Sequence, residues 1–104
     1  MANINFQIGD RVFEWDSDKA KKNKIKHNVS FKVAARVFED ENRIEFYDDE
    51  HSDKEARWKV IGKVENILVV IYTERDDITQ LISARKATDY EGSLYNGDSD
   101  LYFT

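Results

Sequence analysis

The chain has 104 residues, a formal net charge of −5 and neither cysteine nor proline. One domain of this length buries a core without covalent staples, and the lack of cysteine excludes disulfides, thiolate metal sites and a cysteine nucleophile. The start, MANINFQIGD, lacks the basic-then-apolar order of a signal peptide, and no stretch reaches the roughly 18 apolar residues of a membrane span, so a cytoplasmic protein is expected.

Charge is uneven along the chain. Residues 17–36 hold seven Lys and Arg against one acid, and residues 37–55 hold nine acids against two bases. A local basic face can steer a phosphate backbone even on an acidic protein, whereas a solvated lysine-rich helix face is the plainer account. With no linker or repeat, residues 1–104 read as one domain. Residues 1–10 are expected to form an N-terminal extension, and 96–104 an acidic, flexible or partner-bound tail.

In chain order, RVFEWD (Arg11–Asp16) alternates apolar and polar residues and predicts a strand with Phe13 and Trp15 on one face. Asp16 or Ser17 caps a polar surface helix, DKAKKNKIKH, whose few small or apolar contacts are Ala20 and Ile25. Asn28 suits a left-handed helix end, and Ser30 suits the N-cap of a second helix, FKVAARVFED, with Phe31, Ala34, Ala35 and Phe38 as its stripe.

Four strands are then expected: Arg43–Asp48, Arg57–Val64, Ile67–Glu74 and Ile78–Ala87, with tight turns at Glu65-Asn66 and Asp76-Asp77. The nearly all-apolar Ile67–Glu74 should be central. Thr88 can cap a short last helix, DYEGSLY. The layout is β-α-α-β-β-β-β-α: an α+β fold with a mostly antiparallel sheet packed by helices on one side.

These residues carry a resemblance. FEWD, then KH with VSF and AARVFED, then HS, E and RW within DDEHSDKEARWKVIG, then YTERDDITQLISARKAT, together resemble the BrnT family of toxins over about Phe13 to Thr88. The resemblance implies a RelE-like fold, a ribonuclease activity in a type II toxin–antitoxin pair, and neutralisation by a BrnA-like antitoxin carrying a ribbon-helix-helix DNA-binding segment. DNA would then be met only through that partner.

Metal-independent RNA cleavage needs a proton-transfer group and fixed cations for the developing phosphate charge. No cofactor is expected, since the two histidines, His27 and His51, lack a paired metal-ligand spacing. Arg57, Arg75 and Arg85 match the family's E-x-R, YTER and SAR positions and are expected to cluster at one end of the sheet. By alternation Arg57 shares a face with Lys59 and Ile61, and Arg85 shares one with Ser83 and Leu81.

His27, supported by Lys26, is the first candidate for proton transfer; a helix-capping histidine is the structural alternative. His51 and Glu55 are the rivals. Trp58 could stack on a base or lie half-buried in the core, and Lys59, Ser83 and Lys86 are further candidates for substrate contact. Three departures from the family stand out: an acidic last helix, Gln80 in place of an arginine, and Asn28 in place of glycine after KH. The first two remove cations and leave open a non-catalytic interaction module, acting only as a partner or co-repressor subunit, in place of a nuclease.

Overall fold

The protein, seen here as a computed structural model, is described over residues 2–97; the tail from residue 98 on lies outside the described residues. Six strands form one sheet in the order β1-β2-β6-β5-β4-β3: β1 (Asn3–Ile8), β2 (Arg11–Asp16), β3 (Ile44–Tyr47), β4 (Trp58–Val64), β5 (Asn66–Arg75) and β6 (Ile78–Lys86). The helices are α1 (Ser17–His27), α2 (Phe31–Ala35) and α3 (Asp89–Asn96), with 3-10 turns at Arg36–Glu39 and Asp49–His51. β2 and β6 pair in parallel, and the other neighbours are antiparallel.

Residues 1–10, expected as an extension, hold the edge strand β1. It returns into β2 through Gly9 at φ 57, and its alternating Ile4, Phe6 and Ile8 pack against the core. The apolar run 67–75 is central, as its composition predicts, between β6 and β4. Glu65, at φ 61, joins β4 to β5. Asp76 (φ 51) and Asp77 (φ 65) turn β5 into β6, both positive as a type I′ hairpin requires.

One face of the sheet presents Phe13, Trp15, Val60, Val70, Tyr72 and Leu81 to α2 and the 3-10 turn after it. That second helix keeps α form only to Ala35 and then tightens over Val37 and Phe38. Gly62 lets the tight turn lie against β4: a Cβ there would stand 2.9 Å from the Val37 Cβ and 3.1 Å from its carbonyl oxygen.

α1 is anchored differently from what its sequence suggests. Ile25 faces solvent, and the buried residue is Asn23. β2 pairs with β6 only as far as Gln80, so the edge of β6 beyond it is free. The Asn23 amide fills that edge: it donates to the Ala84 and Val29 carbonyls at 2.9 and 3.0 Å and accepts from the Ala84 N–H at 3.1 Å. Buried backbone groups need such partners, and a side-chain amide supplies a donor and an acceptor together. The caps follow the sequence: Asp16 accepts from the Lys19 N–H, Ser30 from the Val33 N–H, and Asn28 closes α1 in the left-handed region at φ 57.

α1 and α2 lie on the expected side, but α3 reaches the other. Alternation places Ile67 and Arg85 opposite the α2 face, and α3 meets both: Glu91 pairs with Arg85, and a Cβ on Gly92 would lie 3.8 Å from the Ile67 Cδ1. Tyr95 ties the end of α3 back to Asp40, whose carboxylate also accepts from the Lys63 N–H.

Candidate functional site

The segment between β3 and β4 is folded into a polar cup. The Ser52 hydroxyl donates to the Asp48 carbonyl at 2.6 Å and accepts from the Arg57 N–H at 2.9 Å, while the Asp48 N–H donates to the Arg57 carbonyl. Thr73, buried on β5, donates to the Ala56 carbonyl and fixes the far end of the loop. The result is a cleft of about 390 Å³ lined by His51, Asp53, Lys54, Glu55, Arg57 and Arg75.

Within it Arg75 makes a fork on Glu55, with N–O distances of 2.7, 2.9 and 3.1 Å. Arg57 stands beside the same carboxylate at 3.8 Å, too far for a hydrogen bond, and its Nε is a buried donor without a partner among the described residues. His51 is exposed, but its Nδ1 lies 2.6 Å from the buried carboxylate of Asp48. A carboxylate beside Nδ1 orients the ring and favours the tautomer with the proton on Nδ1, so Nε2 is the nitrogen outside this pair. Ligand atoms of Asp48, Glu50 and His51 fall within 4.8 Å of one another, a closeness that the Asp48–His51 hydrogen bond already accounts for.

Arg85 is not part of this cluster. It pairs with Val69, whereas Arg75 pairs with Ile78, and six residues of β5 separate the two levels, about 20 Å of strand. Both arginines lie on the α3 side of the sheet, at opposite ends. The Arg85 guanidinium is engaged by Glu91 at 2.6 and 2.8 Å. That hydrogen bond raises the Arg85 pKa despite partial burial, and with help from the Thr88 backbone it holds the Glu91 carboxyl down to about 2.

His27 is not joined to any of the three arginines: among the described residues no hydrogen bond or ion pair links it to Arg57, Arg75 or Arg85. Asn23 docks at the Ala84 backbone, and His27 lies one helical turn further along α1. α1 packs on the α2 side whereas Arg85 faces the α3 side, so the expected meeting of Lys26 and His27 with the arginines is not seen. His27 and Lys26 fall in the last turn of α1, where positive charge suits the helix dipole.

The remaining candidates also separate. Lys59 lies on the α3 side, its ammonium 5.7 Å from the Phe46 ring, and Ser83 shares that face. Leu81 does not: the register shifts between Ile71 and Tyr72, so Ser83 faces Ile71 while Leu81 faces Tyr72 in the core. A bulge at Ile82 breaks the alternation that joined Leu81 to Ser83 and Arg85. Trp58 is on the α2 side, half-exposed and edge-on to Tyr47 at 5.4 Å. Lys86 pairs with Leu68 and also belongs to the α2 side. Gln80 lies between Glu14 and Thr73 on the α3 side. Asp48 was missed by sequence reasoning; its spacing of three residues from His51 is the signal that could have found it.

A family model described as "Ribonuclease toxin, BrnT, of type II toxin-antitoxin system" matches residues 15–91. In a search of solved structures, the chain is similar to the 1.1 Å crystal structure of the Brucella abortus ribonuclease toxin BrnT, with a TM-score of 0.56 and 22% identity over 72% of this chain and 94% of that one. A search of curated proteins gave no match. The described residues hold no helix long and apolar enough to cross a membrane. With most of its length under the family model, the chain belongs to the BrnT family of ribonuclease toxins of type II toxin–antitoxin systems.

Proposed function

We propose that this chain is an endoribonuclease that cleaves RNA without a metal, and that the His51–Glu55–Arg57–Arg75 cleft is its catalytic centre. The observation that carries this reading is the cup itself: an oriented histidine, a carboxylate and two guanidiniums around one opening, with the Arg57 Nε unpartnered. Arg57 and Arg75 would hold the scissile phosphate and neutralise the charge that builds on it, for which guanidinium is suited by its permanent charge and planar fork. Phosphate competes with Glu55 for Arg75, and a displaced Glu55 becomes free to take the 2′-hydroxyl proton. His51, held by Asp48, then delivers a proton to the leaving oxygen. Lys59 and Ser83 extend the path for the strand across the α3 side of the sheet.

The antitoxin, proposed to be BrnA-like with a ribbon-helix-helix segment, would cover this cation-bearing face, with both proteins in the cytoplasm. A second nuclease reading keeps proton transfer at His27 with Arg85; what supports it is the docking of Asn23, one helical turn before His27, at Ala84 beside Arg85 in β6, and it needs the strand to reach around the sheet edge between the two faces. A non-catalytic module is the alternative from another class; the carboxylates already seated on Arg75 and Arg85 favour it.

The test is cleavage of a labelled oligoribonucleotide in the presence of a chelator. His51→Ala is expected to lower the rate by roughly 10²–10⁴-fold, the range for a lost proton-transfer group, with His27→Ala within about threefold of the parent. The reverse ranking moves the centre to the Arg85 end. No cleavage by the parent, and no growth arrest when it is expressed alone, leaves the non-catalytic module.

A further inference from the structure

We propose that the groove between α1, the start of α2 and the β1–β2 hairpin is a docking site for an acidic segment of a protein partner that carries aliphatic or aromatic anchors. The groove has a volume of about 560 Å³, within the size range of small recognition pockets. Ile4, Ala20 and Ile25 supply its accessible apolar surface over the buried Trp15 and Phe31, and Lys21, Lys24 and Lys32 also line it. Ile25 lies on its wall at 86% exposure, although it is one of the few apolar residues of α1. The fold does not use Ile25, since Asn23 anchors the helix.

The charge identifies the occupant. None of the three lysines forms an ion pair among the described residues, whereas Arg75 and Arg85 on the other side of the sheet each carry an internal carboxylate. The Lys32 ammonium stands 5.9 Å from the Phe6 ring centroid, and Lys21 and Lys24 have no ion-pair partner among the described residues. An apolar lining beside ammonium groups without carboxylate partners is complementary to a peptide with apolar anchors and acidic neighbours, the helix-in-groove mode of recognition. Such a rim steers an acidic segment and rejects a basic one. A nucleic acid is the poorer match. The Trp15 and Phe31 rings are 3% and 2% exposed, so they offer no free face for a base, and the exposed apolar contact is an aliphatic side chain.

The groove lies on the α2 side, away from the cleft of the proposed nuclease. An antitoxin segment held here would add a second attachment to whatever covers the cleft. This inference uses the antitoxin partner implied by the family and does not need the nuclease assignment.

A random peptide library displayed on phage is selected on the full-length protein and counter-selected on Ile25→Glu, a change at an exposed position whose folding is checked by a thermal melt. The selected sequences are expected to combine Asp and Glu with Leu, Ile, Phe or Trp. Synthetic versions are expected to bind Ile25→Glu and the Lys21→Glu/Lys24→Glu double variant at least about tenfold more weakly than the parent, and to weaken as salt rises. The proposal is overturned if no sequence is enriched, if the enriched sequences are neutral or basic, or if they bind the variants as tightly as the parent. It is also overturned if oligoribonucleotide binding, rather than peptide binding, is what Ile25→Glu removes. Cleavage by the same variants is expected to stay at the parent rate, so loss of the nuclease reading and loss of this one are separately visible.

Discussion

At the scale of single residues, the acids explain most. Glu91 does two tasks with one carboxylate: it accepts from the Thr88 N–H to complete a capping box, and it holds the Arg85 fork. Its pKa falls from 4.5 to about 2, first through the Arg85 hydrogen bond. A carboxyl depressed in the folded state adds stability above its unfolded pKa and loses it as pH falls through the folded value. Between pH 4.5 and about 2 the protein is therefore expected to lose on the order of 2 kcal/mol from this group, discounted for the partly exposed Arg85. Glu91→Gln should flatten that part of the stability–pH curve, measured by urea unfolding. A variant curve parallel to the parent's would remove Glu91 as the cause.

The His51 ring is oriented by a buried neighbour, the Asp48 carboxylate. Asp48→Asn keeps the size of the side chain but weakens the hold on Nδ1, so RNA cleavage is expected to fall at least about tenfold while the thermal transition stays close to the parent. An unchanged rate would show that His51 does not need Asp48. The sequence makes His51 visible as a titratable residue in an acidic loop. It cannot show that Asp48 is 4% exposed while its neighbours Asp49 and Glu50 face solvent. Burial of one acid out of three in a row depends on the loop closure made by Ser52, a tertiary event with no periodicity to read.

At the scale of elements, the strands and caps were legible because they obey local rules. Asp16, Ser30 and Thr88 cap, Asn28 takes the left-handed position, and the paired aspartates 76 and 77 turn the hairpin. Asp77→Gly removes the strain of a positive φ on a side chain and is expected to stabilise the protein by about 0.5–1 kcal/mol, read as a higher melting temperature. What failed was longer-range. The bulge at Ile82 reverses the face of Leu81 relative to Ser83, and a strict period of two cannot foresee it. β1 obeys the same local rule, since Ile4, Phe6 and Ile8 alternate with Asn3, Asn5 and Gln7, so the expectation of an extension over residues 1–10 overlooks a legible strand. Gly62 is another tertiary requirement. Gly62→Ala would drive a methyl group against Val37, costing about 1–3 kcal/mol and lowering the denaturant midpoint. A midpoint equal to the parent's would mean that the 3-10 turn can move away from β4.

At the scale of the whole molecule, an acidic protein presents two separate groups of cations, one on each side of its sheet, and those on the α3 side are largely matched by carboxylates. Lys59, Arg57, Arg75 and Arg85 lie on the α3 side, and the lysines of α1 border the groove on the other. RNA binding on the α3 side should therefore depend on salt, but weakly. Single-stranded nucleic acid gives a slope of about −0.7 in log K against log salt per phosphate neutralised, so four cations set a limit near −3. Arg75 and Arg85 begin with carboxylates bound, and RNA that displaces Glu55 or Glu91 exposes an anion to solvent near the new phosphate, which opposes binding. The expected slope is thus shallower than the limit, about −1.5 to −2 for a non-cleavable oligonucleotide measured by fluorescence anisotropy. Glu91→Gln frees Arg85 without removing a cation, so it should tighten binding by about 3–10-fold and steepen the slope toward the limit, while Arg85→Ala should do neither. If Glu91→Gln leaves both affinity and slope unchanged, Arg85 serves α3 rather than RNA, and the strand is held by the Arg57–Arg75 cleft alone.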